Sequence, residues 1–287
     1  MKQVIALMIV WVAVLICGCG QDMVRGSDPG ESAGIYEDEI VSIDATESNM
    51  GYVRVKYHGD SPRAKLQIGA PDGSSYIYIL SPEKGYEVFP FSVGDGLYEL
   101  RVLENAEGDM YAVAHYQELN VRIDNEFSPF LYPNQYVCYT PDSEAAVLAQ
   151  ELCRGTSSRL ELVEQVYHYV VNHIVYDHEK DVEYDYVPDV DAILRSGKGI
   201  CFDYASVMAA MLRSLGVPTK LQVGYAKEVY HAWVSVYLEE TGWIDNVISF
   251  DGHSWTLLDP TFAASHNEKD LKAFISYDKN YKLKYTY

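Results

Sequence analysis

The stretch Gly199-Ile200-Cys201-Phe202-Asp203-Tyr204-Ala205 decides how this chain is read. A cysteine follows two glycines, Gly197 and Gly199, and opens a run of small and apolar residues. The run passes through Ala205, Met208, Ala209 and Leu212 and halts at Gly216, with Pro218 just beyond. Glycine followed closely by proline is a strong stop signal, so the spacing predicts a helix that begins at Cys201 and ends near Gly216. A helix start leaves N–H groups unpaired and carries the positive end of the helix dipole. Both effects favour a thiolate at Cys201.

Two further elements lie downstream. Tyr230-His231-Ala232-Trp233 opens a strand pattern that runs from His231 to Leu238. Trp255 to Leu258 reads as another strand, closed by Asp259-Pro260-Thr261. A hairpin can set these strands side by side, with His231 facing the sulfur and Asp259 holding the other imidazole nitrogen. Thiol, imidazole and carboxylate in that order are the parts of a nucleophilic acyl-transfer site. In that arrangement His231 withdraws the thiol proton, the helix dipole stabilises the resulting ion pair, and Asp259 fixes the tautomer. The N–H of Cys201 can donate to a developing oxyanion, and the sequence does not assign the second donor. Trp233 and Tyr204 are candidates for lining a substrate channel, against the plainer reading of packed aromatics. Asp203 complements the dipole, or positions the helix. His168, His173 and His178 sit near Asp177 and Asp181, but no His-Glu-x-x-His arrangement or close thiolate pair accompanies them, so no metal and no cofactor is implied. Asp245, Asp251 and His253 read as loop residues.

The 287 residues are long enough for two domains with sizeable cores. A formal charge of −20 argues against nucleic acid as a partner, because phosphate backbones require a basic surface. It argues equally against binding anionic lipid through surface charge. The 25 tyrosines fit amphipathic packing in a β-rich fold, with a sticky binding surface as the alternative.

Lys2 precedes an apolar run from Val4 to Ile16 that is short for a membrane span and is followed by small residues, which is the pattern of an export signal. Ile16-Cys17-Gly18-Cys19 resembles the lipobox of bacterial lipoproteins. That resemblance implies removal of residues 1–18 and lipidation of Cys19, giving an exported protein anchored by lipid on the outer face of the cytoplasmic membrane. A plain cleaved signal or an uncleaved anchor is the alternative. Residues 19–34, rich in Gly, Ser, Asp and Glu, read as a flexible tether. Cys138 and Cys153 can pair in an oxidising compartment, but two separate buried thiols are the favoured reading, since connectivity cannot be read from spacing.

Residues 35–127 read as all-β. Alternation appears at 51–57, 64–68, 76–80, 87–91, 97–103 and 111–116, separated by turn signals such as Pro71-Asp72-Gly73 and Gly94-Asp95-Gly96. Short strands at this spacing suggest an immunoglobulin-like β-sandwich. Residues 128–142 form a proline-bearing connector whose apolar content predicts packing. From 143 to 287 the period becomes mixed. Helical spacing covers Ser143–Arg154 and Ser158–His173, a short helix follows Asp189 and ends at Gly197, and strands return at Leu221–Tyr225. The expected fold class is α+β, with a central helix packed on an antiparallel sheet behind the β-sandwich.

Taken together, Gly197-Lys-Gly-Ile-Cys-Phe-Asp-Tyr-Ala205, Met211-Leu-Arg-Ser-Leu-Gly-Val-Pro218, Gly224-Tyr225, Tyr230-His-Ala-Trp233 and Trp255-Thr-Leu-Leu-Asp-Pro-Thr-Phe262 resemble the transglutaminase-like superfamily, a papain-like group. The resemblance spans about residues 140–265. By position it makes Cys201 the nucleophile, His231 the base and Asp259 the third member, and Glu239–Ser254 looks like a variable hairpin insertion. It implies attack on protein or peptide amide carbonyls through a cysteine thioester, resolved by water or by an amine. Two other readings stay open: a non-catalytic surface binding or adhesion protein, and an amidase acting on cell-wall peptide.

Overall fold

In strand β3 (Tyr52–Tyr57) Val53, Val55 and Tyr57 are buried while their neighbours are half-exposed. The same two-residue period recurs in β4 (Ala64–Gly69) through Ala64, Leu66 and Ile68, and in β5 (Ser75–Leu80) through Tyr76, Tyr78 and Leu80. Alternate side chains of a strand point to opposite faces, so each of these strands offers one apolar face. Each inward side chain contributes roughly 1.5–3 kcal/mol on burial. The structure, a computed structural model, describes residues 33–183, 185–226, 229–250, 255–257 and 281–287.

Short strands β1 (Ile35–Glu37) and β2 (Val41–Asp44) extend this set, as do β6 (Glu87–Pro90) and the long hairpin β7 (Gly96–Glu107) and β8 (Met110–Val121). They form two four-stranded antiparallel sheets, ordered β1-β2-β3-β6 and β5-β4-β7-β8. The inner faces meet: the rings of Tyr78 and Phe89 lie 4.9 Å apart, and Tyr57 of one sheet donates its hydroxyl to Glu104 of the other. The six strands read from alternation are all present. β1 and β2 are additional, and they are too short for alternation to announce them.

The connector packs, as its apolar content predicts. Phe130 is buried and meets the ring of Trp243 at 5.4 Å. The Gln135 side chain accepts from the Ile79 N–H at 3.0 Å and donates to the Ile79 carbonyl at 2.6 Å, covering the free edge of β5 as a neighbouring strand would.

Four helices follow: α1 (Glu144–Leu152), α2 (Arg159–His173), α3 (Val190–Ser196) and α4 (Cys201–Ser214). The first three begin at side-chain caps. Ser143 accepts from Ala146, Ser158 from Glu161 and Asp189 from Ala192. α3 ends at Gly197, whose φ of 61° suits a residue without a β-carbon. The run from Asp203 to Arg213 in α4 is buried on every side. A helix apolar all round belongs at the centre of a core, and α4 packs against α1, α2 and α3 and against the sheet.

That sheet is antiparallel, in the order β14 (Trp255–Leu257), β13 (Gly242–Phe250), β12 (Val229–Leu238), β11 (Thr219–Ala226), β15 (Tyr281–Thr286). A further two-stranded parallel pair joins β9 (Val175–Tyr176) to β10 (Lys198–Gly199). Two expectations are corrected here. Glu239–Ser254 is no simple hairpin insertion, because residues 242–250 form a full strand paired with β12. Consequently Trp255–Leu257 pairs with β13 and does not lie beside β12. The turn at Thr241-Gly242, with Gly242 at φ 79°, lets the chain double back one strand earlier than expected.

The far end of α4 is tied down by Arg213. Its buried guanidinium donates to the carbonyls of Thr219, Tyr132 and Tyr287 at 2.9, 2.8 and 2.7 Å. One side chain thereby links the central helix, the connector and the strand end after β15. Burial pulls its pKa down to about 10, which leaves it charged at neutral pH.

Candidate active site

Cys201 is the first residue of α4, and Ile200 before it has extended backbone. Ile200 has no side-chain acceptor, so the usual cap is absent. Asp203, three residues after Ile200, instead reaches back to accept its N–H at 2.8 Å. The open N–H groups of the first turn are left near the sulfur. Burial raises the pKa of the Cys201 thiol, while the backbone N–H groups of Ala232 and Phe202 donate to the sulfur and pull the other way. Ala232 follows His231 directly on β12, so the sulfur rests against the strand that carries the expected base.

His231 is buried, and burial lowers its pKa from 6.5 to about 4. The same dry surroundings hold the thiol up and the imidazole down, which favours the neutral pair. This differs from the ion pair expected from the dipole alone. Desolvation penalises both charged forms and opposes the helix mouth. Its low pKa suits His231 to the role of a base at neutral pH.

Tyr176 of β9 completes the immediate surroundings. Its pKa is raised by burial, and its hydroxyl hydrogen-bonds with both the backbone and the side chain of Cys201. The Tyr176 hydroxyl and the Cys201 N–H therefore meet at the mouth of α4. Nothing in the sequence singles out Tyr176. The signal is purely spatial: β9 reaches the helix mouth by pairing with β10, the strand that leads into Cys201.

The two candidate channel residues are placed otherwise. Trp233 is 3% exposed, and its indole N–H donates to Gln222 at 2.9 Å. Tyr204 is 2% exposed, and its hydroxyl donates to the carbonyl of Ile174. Both are packed supports with satisfied polar atoms, closed to solvent, and neither lines an open channel. Trp233 shares a face of β12 with His231, and the two rings are roughly parallel at 6.4 Å. His173 bonds to the Tyr169 carbonyl, and no group of three or more His, Cys, Asp or Glu side chains is arranged to hold a metal among the described residues. Cys138 is an exposed and Cys153 a buried free thiol. Asp259, Asp251, His253 and Cys19 lie outside the described residues. Asp245 falls within β13.

The geometry of helix, thiol and strand has a counterpart among known families. The sequence model of the transglutaminase-like superfamily matches residues 146–246, a span that contains Cys201, Tyr176 and His231. Residues 146–246 are thus similar to a transglutaminase-like core. Solved structures similar to the chain are distant. A candidate cysteine protease from Cytophaga hutchinsonii is 15% identical, covering 89% of this chain and 74% of its own, with a TM-score of 0.40. The periplasmic domain of TgpA from Pseudomonas aeruginosa is 17% identical, over 80% of this chain and 96% of its own, with a TM-score of 0.34. Red sea bream transglutaminase is 14% identical over 73% and 48%, with a TM-score of 0.25. No curated protein matches the chain. The chemistry of the transglutaminase-like core therefore rests on its own residues.

Proposed function

We propose that the chain is an extracytoplasmic thiol enzyme that attacks protein or peptide amide carbonyls through Cys201. The observation that carries this reading is the seat of the sulfur: the first turn of α4, receiving the N–H of the residue next to His231. Neutral His231 takes the thiol proton as sulfur adds to the carbonyl carbon. The carbonyl oxygen gains negative charge within reach of the Cys201 N–H and the Tyr176 hydroxyl. Collapse expels the amine, which leaves with the proton from His231, and a thioester remains on Cys201. Water or a second amine then releases the acyl group, giving hydrolysis or transfer. Asp259 is the proposed third member, orienting His231.

The lipobox-like Ile16-Cys17-Gly18-Cys19 supports a lipid anchor at Cys19 in the cell envelope, with residues 19–34 as tether. The strand orders β1-β2-β3-β6 and β5-β4-β7-β8 support an immunoglobulin-like reading of the first domain, in which one hairpin strand switches sheets. The test compares wild type with Cys201→Ala on glutamine-containing peptides, following ammonia release and amine incorporation separately. The reading requires both signals to vanish in the variant. Equal rates in the two proteins refute it.

A further inference from the structure

Asp203 lies two residues after Cys201 and is fully buried. A carboxylate out of water must be paired and hydrogen-bonded. Its partners are the Lys180 ammonium at 2.5 Å, the Tyr186 hydroxyl at 2.5 Å and the Ile200 N–H at 2.8 Å. Lys180 also meets the Tyr186 hydroxyl at 2.5 Å and lies over that ring, 4.4 Å from its centre. Gly199 makes the approach possible, because a β-carbon there would sit 2.6 Å from the Asp203 Cβ.

Lys180 and Tyr186 belong to the segment between β9 and α3, which begins directly after Tyr176. The cluster therefore fastens that segment to the start of α4. Among the described residues, charged and titratable groups reach the mouth of α4 from several elements. Asp203 lies on α4, Lys180 and Tyr186 on the fastened segment, and neutral His231 on β12. Tyr176 comes from β9, with the ring of His178 4.9 Å beyond it, and Asp189 opens α3 and acts on Tyr186. A helix N-terminus is worth about half a positive charge. A bare carboxylate two residues from the thiol carries a full negative one and would outweigh it. Paired with an ammonium, it does not.

We propose that Lys180 is a positioning residue that cancels the Asp203 charge, so that the mouth of α4 is left to stabilise Cys201 as it ionises. This rests on the reading of Cys201 as the nucleophile. The two partners then have opposite effects on the thiol. Removing Lys180 exposes the sulfur to an unpaired carboxylate. Removing the Asp203 charge exposes it to an unpaired ammonium. A merely structural cluster would weaken in the same direction from either side.

The experiment measures iodoacetamide alkylation of Cys201 against pH in the full chain, with the Cys201 peptide followed by mass spectrometry. Lys180→Met is expected to move the titration midpoint up by about one unit, slowing alkylation about tenfold below it. Lys180→Arg restores the wild-type midpoint, Asp203→Asn moves it down, and the double variant Lys180→Met/Asp203→Asn returns towards wild type. Shifts of the same sign, or none, overturn the proposal. If Asp203→Asn does not fold, Lys180→Met and Lys180→Arg decide, since the Lys180 side chain is 24% exposed while that of Asp203 is fully buried. Because the readout is alkylation, opposite shifts without any ammonia release would refute the acyl-transfer reading and uphold the charge pairing. Turnover with an unmoved midpoint would do the reverse.

Discussion

Gly224 of β11 stands directly across the sheet from His231 of β12, and β15 passes so close behind it that a β-carbon would run into the carbonyl oxygen of Lys282. The obstacle is backbone, with the Leu283 Cα also only 3.0 Å away, so it cannot swing aside. The ladder between β11 and β15 slips its register at this point, between Val223 and Gly224. Glycine is required here by close approach and not by its φ. Gly224→Ala should destabilise the fold by about 1–3 kcal/mol in urea unfolding. It should lower kcat as well, because the displaced strand β11 is paired with β12, which carries His231. Wild-type unfolding midpoint and kcat in the variant would show that the site tolerates a shift.

Tyr176 bonds to the backbone and sulfur of Cys201 and is the nearest candidate for the second oxyanion donor. Tyr176→Phe keeps the ring and removes only the O–H. An oxyanion donor acts in the transition state, so kcat should fall about 10²-fold while KM changes little. Steady-state kinetics on one peptide substrate decide it. A rise in KM at constant kcat would make Tyr176 a binding residue.

Acid should loosen this core through His231. Burial lowers its pKa from 6.5 to about 4. Below 6.5 the unfolded chain takes up a proton that the folded chain refuses, so stability is full above pH 6.5 and is lost as pH falls towards 4. The window of about 2.5 units corresponds to about 3 kcal/mol. Urea unfolding at several pH values in wild type and His231→Gln should show that slope in wild type and a flatter one in the variant. Exposed aspartates such as Asp38 and Asp72, held low by hydrogen bonds, add the same smaller loss to both proteins.

The proposed role of Asp259 invites a separate experiment. Asp259→Asn should lower kcat by orders of magnitude without changing the thermal midpoint, since the amide holds the wrong imidazole tautomer. Unchanged turnover would place the orienting role on another residue.

What the sequence made legible follows the range of the interactions. α4 is announced by local chemistry, a small apolar run stopped by Gly216 and Pro218, and the structure ends the helix at Ser214. The strands β3 to β8 are announced by a period of two. β13 is not. Its apolar Trp243 and Ile244 are adjacent, the resemblance assigns its residues to an insertion, and only pairing with β12 and β14 gives it a place in the sheet. Cys201 and His231 could be picked out because chain order and motif identify them. Tyr176 and Lys180 could not, because each reaches the helix mouth from a segment 20 or more residues upstream, through pairings that leave no local trace. The burial around the thiol and imidazole was equally hidden: a dipole can be read from a helix start, but the dryness that opposes it exists only in the packed core.

The most direct test of the account is to trap the thioester. The protein is incubated with a glutamine-containing peptide, quenched in acid and digested, and the Cys201 peptide is examined by mass spectrometry in wild type, His231→Ala and Cys201→Ala. The account predicts an acyl adduct on Cys201 in wild type, strongly reduced in His231→Ala and absent in Cys201→Ala. Substrate turnover that proceeds with no adduct on Cys201, and at the same rate in Cys201→Ala, would contradict it.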